Sequence, residues 1–295
     1  MKKAFTMIEL IFVIVIMGIL AKFGVEFLAQ AYNNFIFSNV NHTLQAQSAA
    51  TVESIASRLQ YRIKDSIIAR QPGVDFQALS GSTLDDNATV LEWVASDIDG
   101  YRGNRLPMWS GIIDLADSNA ARLSSPETNT NALNTLIGIL SHGSGTGINN
   151  AALYFIGSDS NVRTGYGWNG AITNQSSVMH PIRRSIVAGE ENLFIPVRGD
   201  NGVDNSFAGV DVFEYYQLAW TAYAVEHNTT SGNLTLYFDY QPWQGESYTD
   251  GKSFLLMQNV DTFRFKAVGS VVKIQVCVNT DLVEDYSLCK EKTIF

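Results

Sequence analysis

The sequence predicts an α+β protein in which one long N-terminal helix packs on an antiparallel β-sheet head. Three observations support this fold class. Apolar residues recur with helical spacing through residue 70, and strand patterns separated by tight turns dominate from Ala151 onward. The composition is 46% hydrophobic and 17% charged, which is typical of a folded chain with a substantial core rather than a disordered one.

An apolar run suited to a membrane opens the chain. It extends from Phe5 to Ala21, with Glu9 as its one charge and Lys22 at its end. As a helix the run spans about 26 Å, slightly less than a hydrocarbon core of roughly 30 Å, and the apolar residues after Lys22 lengthen it. The sequence therefore predicts a single membrane span over residues 5–25.

The residues that flank this run bear on its orientation and processing. Lys2 and Lys3 precede it, which places the N-terminus in the cytoplasm and the rest of the chain on the exported side. Three interpretations are open: a secretory signal peptide, an anchor that is never cut, and a short leader cut before the run. Ile19-Leu20-Ala21 is a poor signal-peptidase site, and a carboxylate is badly placed within the apolar part of a signal peptide.

Glu9 distinguishes these interpretations, because a carboxylate inside a membrane helix costs about 2.5–3.5 kcal/mol and usually has a partner and a function. The segment Lys3-Ala4-Phe5-Thr6-Met7-Ile8-Glu9-Leu10 resembles the processing segment of type IV pilins and type II secretion pseudopilins, with Ala4 where that family usually has glycine. The resemblance implies that residues 1–4 are a leader, that prepilin peptidase cuts between Ala4 and Phe5, and that Phe5 is then N-methylated.

The resemblance also implies an assembly role for Glu9, which is the fifth residue counted from Phe5. In a filament, the carboxylate of one subunit can meet the new α-amine of another. Such a pair offsets the desolvation of both charges and fixes the axial stagger, because any other register leaves a buried charge alone. The implied partners are other pilin or pseudopilin subunits and the assembly platform of the bacterial inner membrane, with the head in the periplasm or on an extracellular filament.

Beyond Lys22 the pattern becomes amphipathic. We predict that the helix continues through residues 26–70 and ends before Pro72 and Gly73, giving a total length of about 100 Å. Its apolar stripe is expected to pack under a sheet. The stripe comprises Leu28, Tyr32, Ile36, Val40, Leu44, Val52, Ile55, Leu59, Ile63 and Ile67.

Residues 71–295 are predicted to form the β-rich head. The first part is irregular apart from a strand at 89–95 and a short helix or strand at 133–140. An antiparallel meander should follow, with tight turns at Gly232-Asn233 and Gly269-Ser270. Its predicted strands are residues 153–156, 193–197, 213–225, 234–240, 254–257, 262–267 and 271–278. This order loosely resembles the J-type minor pseudopilins and the related large minor pilins.

Cys277 and Cys289 are the two cysteines of the chain. On the exported side an even pair favours a disulfide, whereas in a reducing compartment the two would be free thiols. With the predicted orientation we expect a disulfide, which would stabilise the fold by about 3 kcal/mol in the chain-entropy model.

Acidic clusters are the weaker site candidates. Asp200 and Asp204 lie in a segment with calcium-loop character, but the spaced glutamate of an EF-hand loop is missing. Solvated turns are the prediction for that segment and for residues 85–87 and 97–100, and a calcium site at Asp200 and Asp204 is the alternative. Calcium is the one cofactor that the sequence suggests.

Two asparagines and a glycine-rich segment complete the candidates. Asn87 and Asn228 lie in sequences that resemble the acidic glycosylation sequon of some bacteria. The segment 142–147 lacks the spacing and the lysine of the nucleotide-binding loops, so it predicts a flexible loop.

The function classes can then be weighed. The four histidines fall in no nucleophile or zinc pattern, so no enzymatic activity is predicted. The formal net charge of -9 argues against a nucleic-acid partner, and it disfavours direct DNA contact by a DNA-uptake pilus. We expect a minor pilin or pseudopilin near a filament tip, of a type IV pilus or a type II secretion pseudopilus. The alternative is an unprocessed, membrane-anchored binding or enzymatic domain.

Overall fold

The computed structural model of the chain describes residues 6–199, 205–280 and 286–295. The helices are α1 (Met7–Leu59), α2 (Ile98–Arg102) and α3 (Thr130–Leu140). The strands are β1 (Ile68–Gln71), β2 (Asp75–Ala78), β3 (Val90–Ala95), β4 (Asp114–Asn119), β5 (Arg122–Ser124), β6 (Ala152–Phe155), β7 (Met179–Arg184), β8 (Leu193–Pro196), β9 (Tyr216–Ala219), β10 (Thr221–Asn228), β11 (Asn233–Tyr240), β12 (Lys252–Met257), β13 (Val260–Val268), β14 (Val271–Asn279) and β15 (Ser287–Ile294). Neighbouring strands run antiparallel, which confirms the α+β class.

Helix α1 has 53 residues and is about 80 Å long. It ends at Leu59, so the prediction that it extends to residue 70 is wrong over its last turns. The chain instead turns onto a sheet: the Ile63 amide donates to the Val94 carbonyl at 2.9 Å, and β1 pairs with β3. The β-branched residues of this stretch, which follow a helical spacing in the sequence, lie in buried and extended backbone that suits their branched side chains.

The first sheet has six strands in the order β12-β11-β10-β3-β1-β2. One of its faces packs on the end of α1 and on a three-stranded sheet, β13-β14-β15. The core between these layers contains Ile55 and Leu59 of the helix and Trp93 of the first sheet. The predicted turn at Gly269-Ser270 joins β13 to β14. The helix therefore packs on antiparallel strands as predicted.

Residues 96–220 form an insertion between two neighbouring strands of the first sheet. Ala95 ends β3 and Thr221 begins β10, and these two residues are register partners. The predicted single strand over 213–225 is wrong, because β9 belongs to a second sheet, β10 belongs to the first, and Trp220 separates them. The chain changes sheets at one buried residue, so its apolar pattern continues without a break that the sequence could reveal.

The insertion contains the second six-stranded sheet, in the order β4-β5-β8-β7-β6-β9. One face has its own core with Leu133 and Ile137 of α3. The other face, with the loop that carries Trp168, covers the side of the first sheet opposite α1. Trp168 Nε1 donates to the Ser66 carbonyl at 3.1 Å. The insertion and the first sheet therefore share a hydrophobic core. The prediction of a single meander is wrong, because the strands form three sheets in separate layers.

Candidate assembly surface on the N-terminal helix

Among the described residues, the first half of α1 makes no contact with the body of the protein. Every residue from Thr6 to Phe35 is exposed, and within the described residues α1 is the one helix long and apolar enough to cross a membrane. Its apolar side chains are spread around the whole helix and must be covered by lipid or by other helices. Within residues 7–21, the more exposed of them are Met7, Ile8, Ile11, Phe12, Ile14, Met17 and Leu20.

Glu9 lies in the first turn of this apolar helix. Its Oε2 accepts hydrogen bonds from the Thr6 backbone N–H at 2.9 Å and from the Thr6 hydroxyl at 2.8 Å. This arrangement closes a capping box at the helix start. The carboxylate is exposed and contacts no cation among the described residues. Ala4 and Phe5, the predicted cleavage and methylation position, lie outside the described residues.

A bare stretch of helix separates the apolar end of α1 from the body. Lys22 and Glu26 form an ion pair at 3.9 Å where the apolar run ends. Among the described residues, the first contact between the helix and the body is that of Phe37 with Tyr286, so about 22 Å of helix lies between Lys22 and the body. Exposed aromatic residues continue along this stretch, at Phe23, Phe27, Tyr32, Phe35 and Phe37. These rings extend the exposed apolar surface of the helix beyond the predicted membrane span.

The end of α1 is held firmly by the body. Val52, Ile55 and Leu59 are buried, as predicted, whereas the prediction is wrong for Leu28 and Tyr32 of the same stripe, which are exposed because the body does not reach them. The Thr51 hydroxyl also donates to the Leu256 carbonyl at 3.4 Å. These contacts fix the direction in which the exposed half of the helix leaves the body.

The C-terminal hairpin adds a second hold on the helix. Cys277 of β14 and Cys289 of β15 are direct cross-strand partners and form a disulfide, which confirms that prediction. The same hairpin carries Lys292, which pairs with Glu53 of α1. Just before β15, the ring of Tyr286 lies 5.3 Å from that of Phe37 of the helix. The disulfide therefore clamps the hairpin that braces α1.

The remaining predicted site residues lie away from this surface. Asp200 and Asp204 fall outside the described residues, and in the described part of the chain no cluster of His, Cys, Asp or Glu could hold a metal. Asn87 and Asn228 are exposed, and the Asn228 side chain accepts from the Thr230 amide at 3.0 Å. Both asparagines are accessible, and their glycosylation stays a prediction.

Asp97, in the predicted solvated turn at residues 97–100, is a buried carboxyl. Its Oδ1 accepts from the Gly100 amide at 3.1 Å, capping α2, and its Oδ2 accepts from Trp109 Nε1 at 3.2 Å. Burial raises the pKa of Asp97 to about 6. The prediction of a solvated turn is wrong here, because a buried helix cap and an exposed turn share the Asp-x-x-Gly pattern.

Comparison with known proteins gives no relative. No protein-family model matches the chain, and neither a curated protein nor a solved structure matches it. The assignment of function therefore depends on the N-terminal motif and on the geometry of α1.

Proposed function

We propose that this chain is a structural subunit, a minor pilin or pseudopilin, of a type IV pilus or a type II secretion pseudopilus. One observation carries the proposal: the first half of α1 is apolar on all sides and exposed, and the same helix continues into a folded body. In the inner membrane this half spans the bilayer with its N-terminus in the cytoplasm and the body in the periplasm. In a filament, the same surface packs on the helices of other subunits.

The energetics support a helix built for two apolar environments. Burial of one large aliphatic or aromatic side chain stabilises by roughly 1.5–3 kcal/mol relative to exposure in water. Many such side chains are exposed along the first half of α1. Extraction from lipid into water would therefore cost tens of kcal/mol, on the order of the summed side chains. Transfer into a bundle of equivalent helices avoids that cost.

Glu9 supplies the register in this proposal. Its carboxylate has only Thr6 as a hydrogen-bond partner in the described part of the chain. Cleavage by prepilin peptidase before Phe5 would create an α-amine, and the amine of a neighbouring subunit would neutralise the carboxylate between packed helices. A shifted neighbour leaves both charges buried and unpaired, which is strongly unfavourable.

Mass spectrometry of the mature N-terminus tests the processing step. We expect the protein isolated from its native membrane to begin at an N-methylated Phe5. An intact Met1 would instead support the alternative, an unprocessed membrane-anchored binding or enzymatic domain. A start near Lys22 would support an ordinary signal peptide.

The variant Glu9→Ala tests the assembly step. We expect it to insert and to be cleaved like the wild type, but to enter filaments at least about tenfold less, since an unpaired buried amine costs several kcal/mol. Glu26→Ala is the matched control, because Glu26 lies on the same helix and its one ion-pair partner in the described part of the chain is Lys22. Incorporation of Glu9→Ala at the level of this control would contradict the proposed pairing.

A further inference from the structure

A cleft of about 640 Å³ opens where the end of α1, the start of the insertion and the second sheet meet. Binding sites for small ligands typically measure roughly 300–1,000 Å³. Gln60 and Tyr61, which follow α1, contribute to its wall. The cleft therefore lies at the opposite end of the helix from Met7, about 80 Å along its axis. A site at this end faces away from the membrane.

Aromatic rings with uncovered faces line the cleft. Tyr101 and Tyr215 are 47% and 57% exposed, although each is anchored in ordered backbone. The Tyr101 ring packs 4.9 Å from the buried Trp109. Tyr215 forms an antiparallel β-bridge with Ile112, and its backbone carbonyl accepts a hydrogen bond from the Ile156 amide. This pairing places the exposed side chains of Ile112 and Ile156 next to Tyr215. The fold thus holds apolar faces in place without covering them.

Polar groups with unused hydrogen-bonding capacity surround these rings. In the described part of the chain, the side chains of Gln60, Lys64 and Gln217 make no hydrogen bond, although all three line the cleft. The one hydrogen bond that the Asp65 carboxylate accepts within the described ranges comes from the Tyr154 hydroxyl, at 3.1 Å. The cleft therefore offers both hydrogen-bond donors and hydrogen-bond acceptors, which suit a ligand that carries both kinds of group.

We infer that this cleft binds a saccharide. Sugar rings present apolar C–H faces that stack on aromatic side chains, and their hydroxyls both donate and accept hydrogen bonds. A purely apolar ligand would leave the polar groups of the cleft unpaired. A proline-rich peptide also fits aromatic grooves, but it has few N–H donors for Asp65 and for the amide carbonyls of Gln60 and Gln217. The inference rests on the proposed function only for the location of the cleft, which would be exposed on a subunit assembled into a filament.

The test uses the full-length protein in an amine-oxide detergent, because sugar-based detergents would compete. Tetrasaccharides of glucose, N-acetylglucosamine, mannose and galacturonic acid are titrated by calorimetry, with a proline-rich decapeptide as the competing class. We expect at least one tetrasaccharide to bind with a Kd below about 1 mM. The double variant Tyr101→Ala/Tyr215→Ala should weaken that binding at least about tenfold. Phe254→Ala is the matched control, since this ring is 61% exposed on β12, outside the cleft.

The outcomes separate cleanly. Lack of binding to all four tetrasaccharides, equal affinity for the double variant, or binding of the decapeptide alone would overturn the inference. If the double variant fails to fold, Gln217→Ala replaces it, with a severalfold loss of affinity expected from one polar contact. Glu9→Ala should bind the tetrasaccharide like the wild type while failing to assemble. Loss of binding and loss of assembly are therefore read independently.

Discussion

The two halves of α1 are equally helical but are stabilised by different surroundings. From Met7 to Phe35 the apolar residues occupy every side and all of them are exposed. From Ser48 to Leu59 they form one stripe that the first sheet and the C-terminal hairpin bury. A helix that is apolar all round needs lipid or other helices, whereas a striped one needs a single partner surface. The body completes the second half of the helix and leaves the first half to be completed elsewhere.

The acids of the two regions differ in the same way. Asp97 is buried in the body, where the Gly100 amide and Trp109 Nε1 satisfy its oxygens. Glu9 is exposed and has Thr6 as its one hydrogen-bond partner in the described part of the chain. The body therefore supplies hydrogen bonds to its own buried carboxyl, Asp97, whereas the helix presents the Glu9 carboxylate to solvent without a counter-charge among the described residues. The proposed assembly contact requires this contrast.

The largest expected effect separates the two halves of α1 directly. Leu59→Ala should lower the free energy of unfolding of the body by about 2–5 kcal/mol, because it leaves a cavity in a closed core. Leu28→Ala, in a residue that is 68% exposed, should change it by no more than about 0.5 kcal/mol. Urea unfolding of the detergent-solubilised protein, followed by tryptophan fluorescence, measures both. Similar losses for the two variants would show that the exposed half also packs on the body.

The sequence predicted this contrast better than it predicted the body. The apolar run, the stripe through Val52 and Ile55 and the cysteine pair depend on local patterns, and each is present in the fold. The insertion escaped prediction because its ends meet through Ala95 and Thr221, a pairing far apart in sequence. Short strands such as β4 and β5, half exposed and interrupted by a bulge, carry too little alternation to be recognised.

A smaller effect tests the buried carboxyl of the body through its pH dependence. Burial raises the pKa of Asp97 from 3.8 to about 6, so the folded state holds a proton that the unfolded chain releases. The contribution of Asp97 to the free energy of unfolding is therefore fully present below about pH 4. It is lost as the pH rises to about 6, and the total loss is about 3 kcal/mol. Asp97→Asn removes the titrating group. The difference in unfolding free energy between wild type and variant should thus shift by this amount between about pH 4 and pH 7.

Asp117→Asn is the control for that measurement, because Asp117 is exposed on β4. Its pH profile should run parallel to that of the wild type. A profile for Asp97→Asn that also stays parallel to the wild type would mean that burial in the body does not raise the pKa of Asp97. The contrast with Glu9 would then lose its physical basis.

The smallest effect concerns one ion pair in each half of the helix. Glu53 pairs with Lys292 of the body, while Glu26 pairs with Lys22 of the helix itself, and all four side chains are more than a third exposed. Glu53→Gln should therefore lower the unfolding free energy of the body by only about 0.2–1 kcal/mol, and Glu26→Gln should leave it unchanged. Salt at about 1 M should remove the difference, because the Debye length falls to about 3 Å. A loss above about 2 kcal/mol for Glu53→Gln, persisting in salt, would mean that a polar clamp rather than the apolar stripe holds the helix to the body.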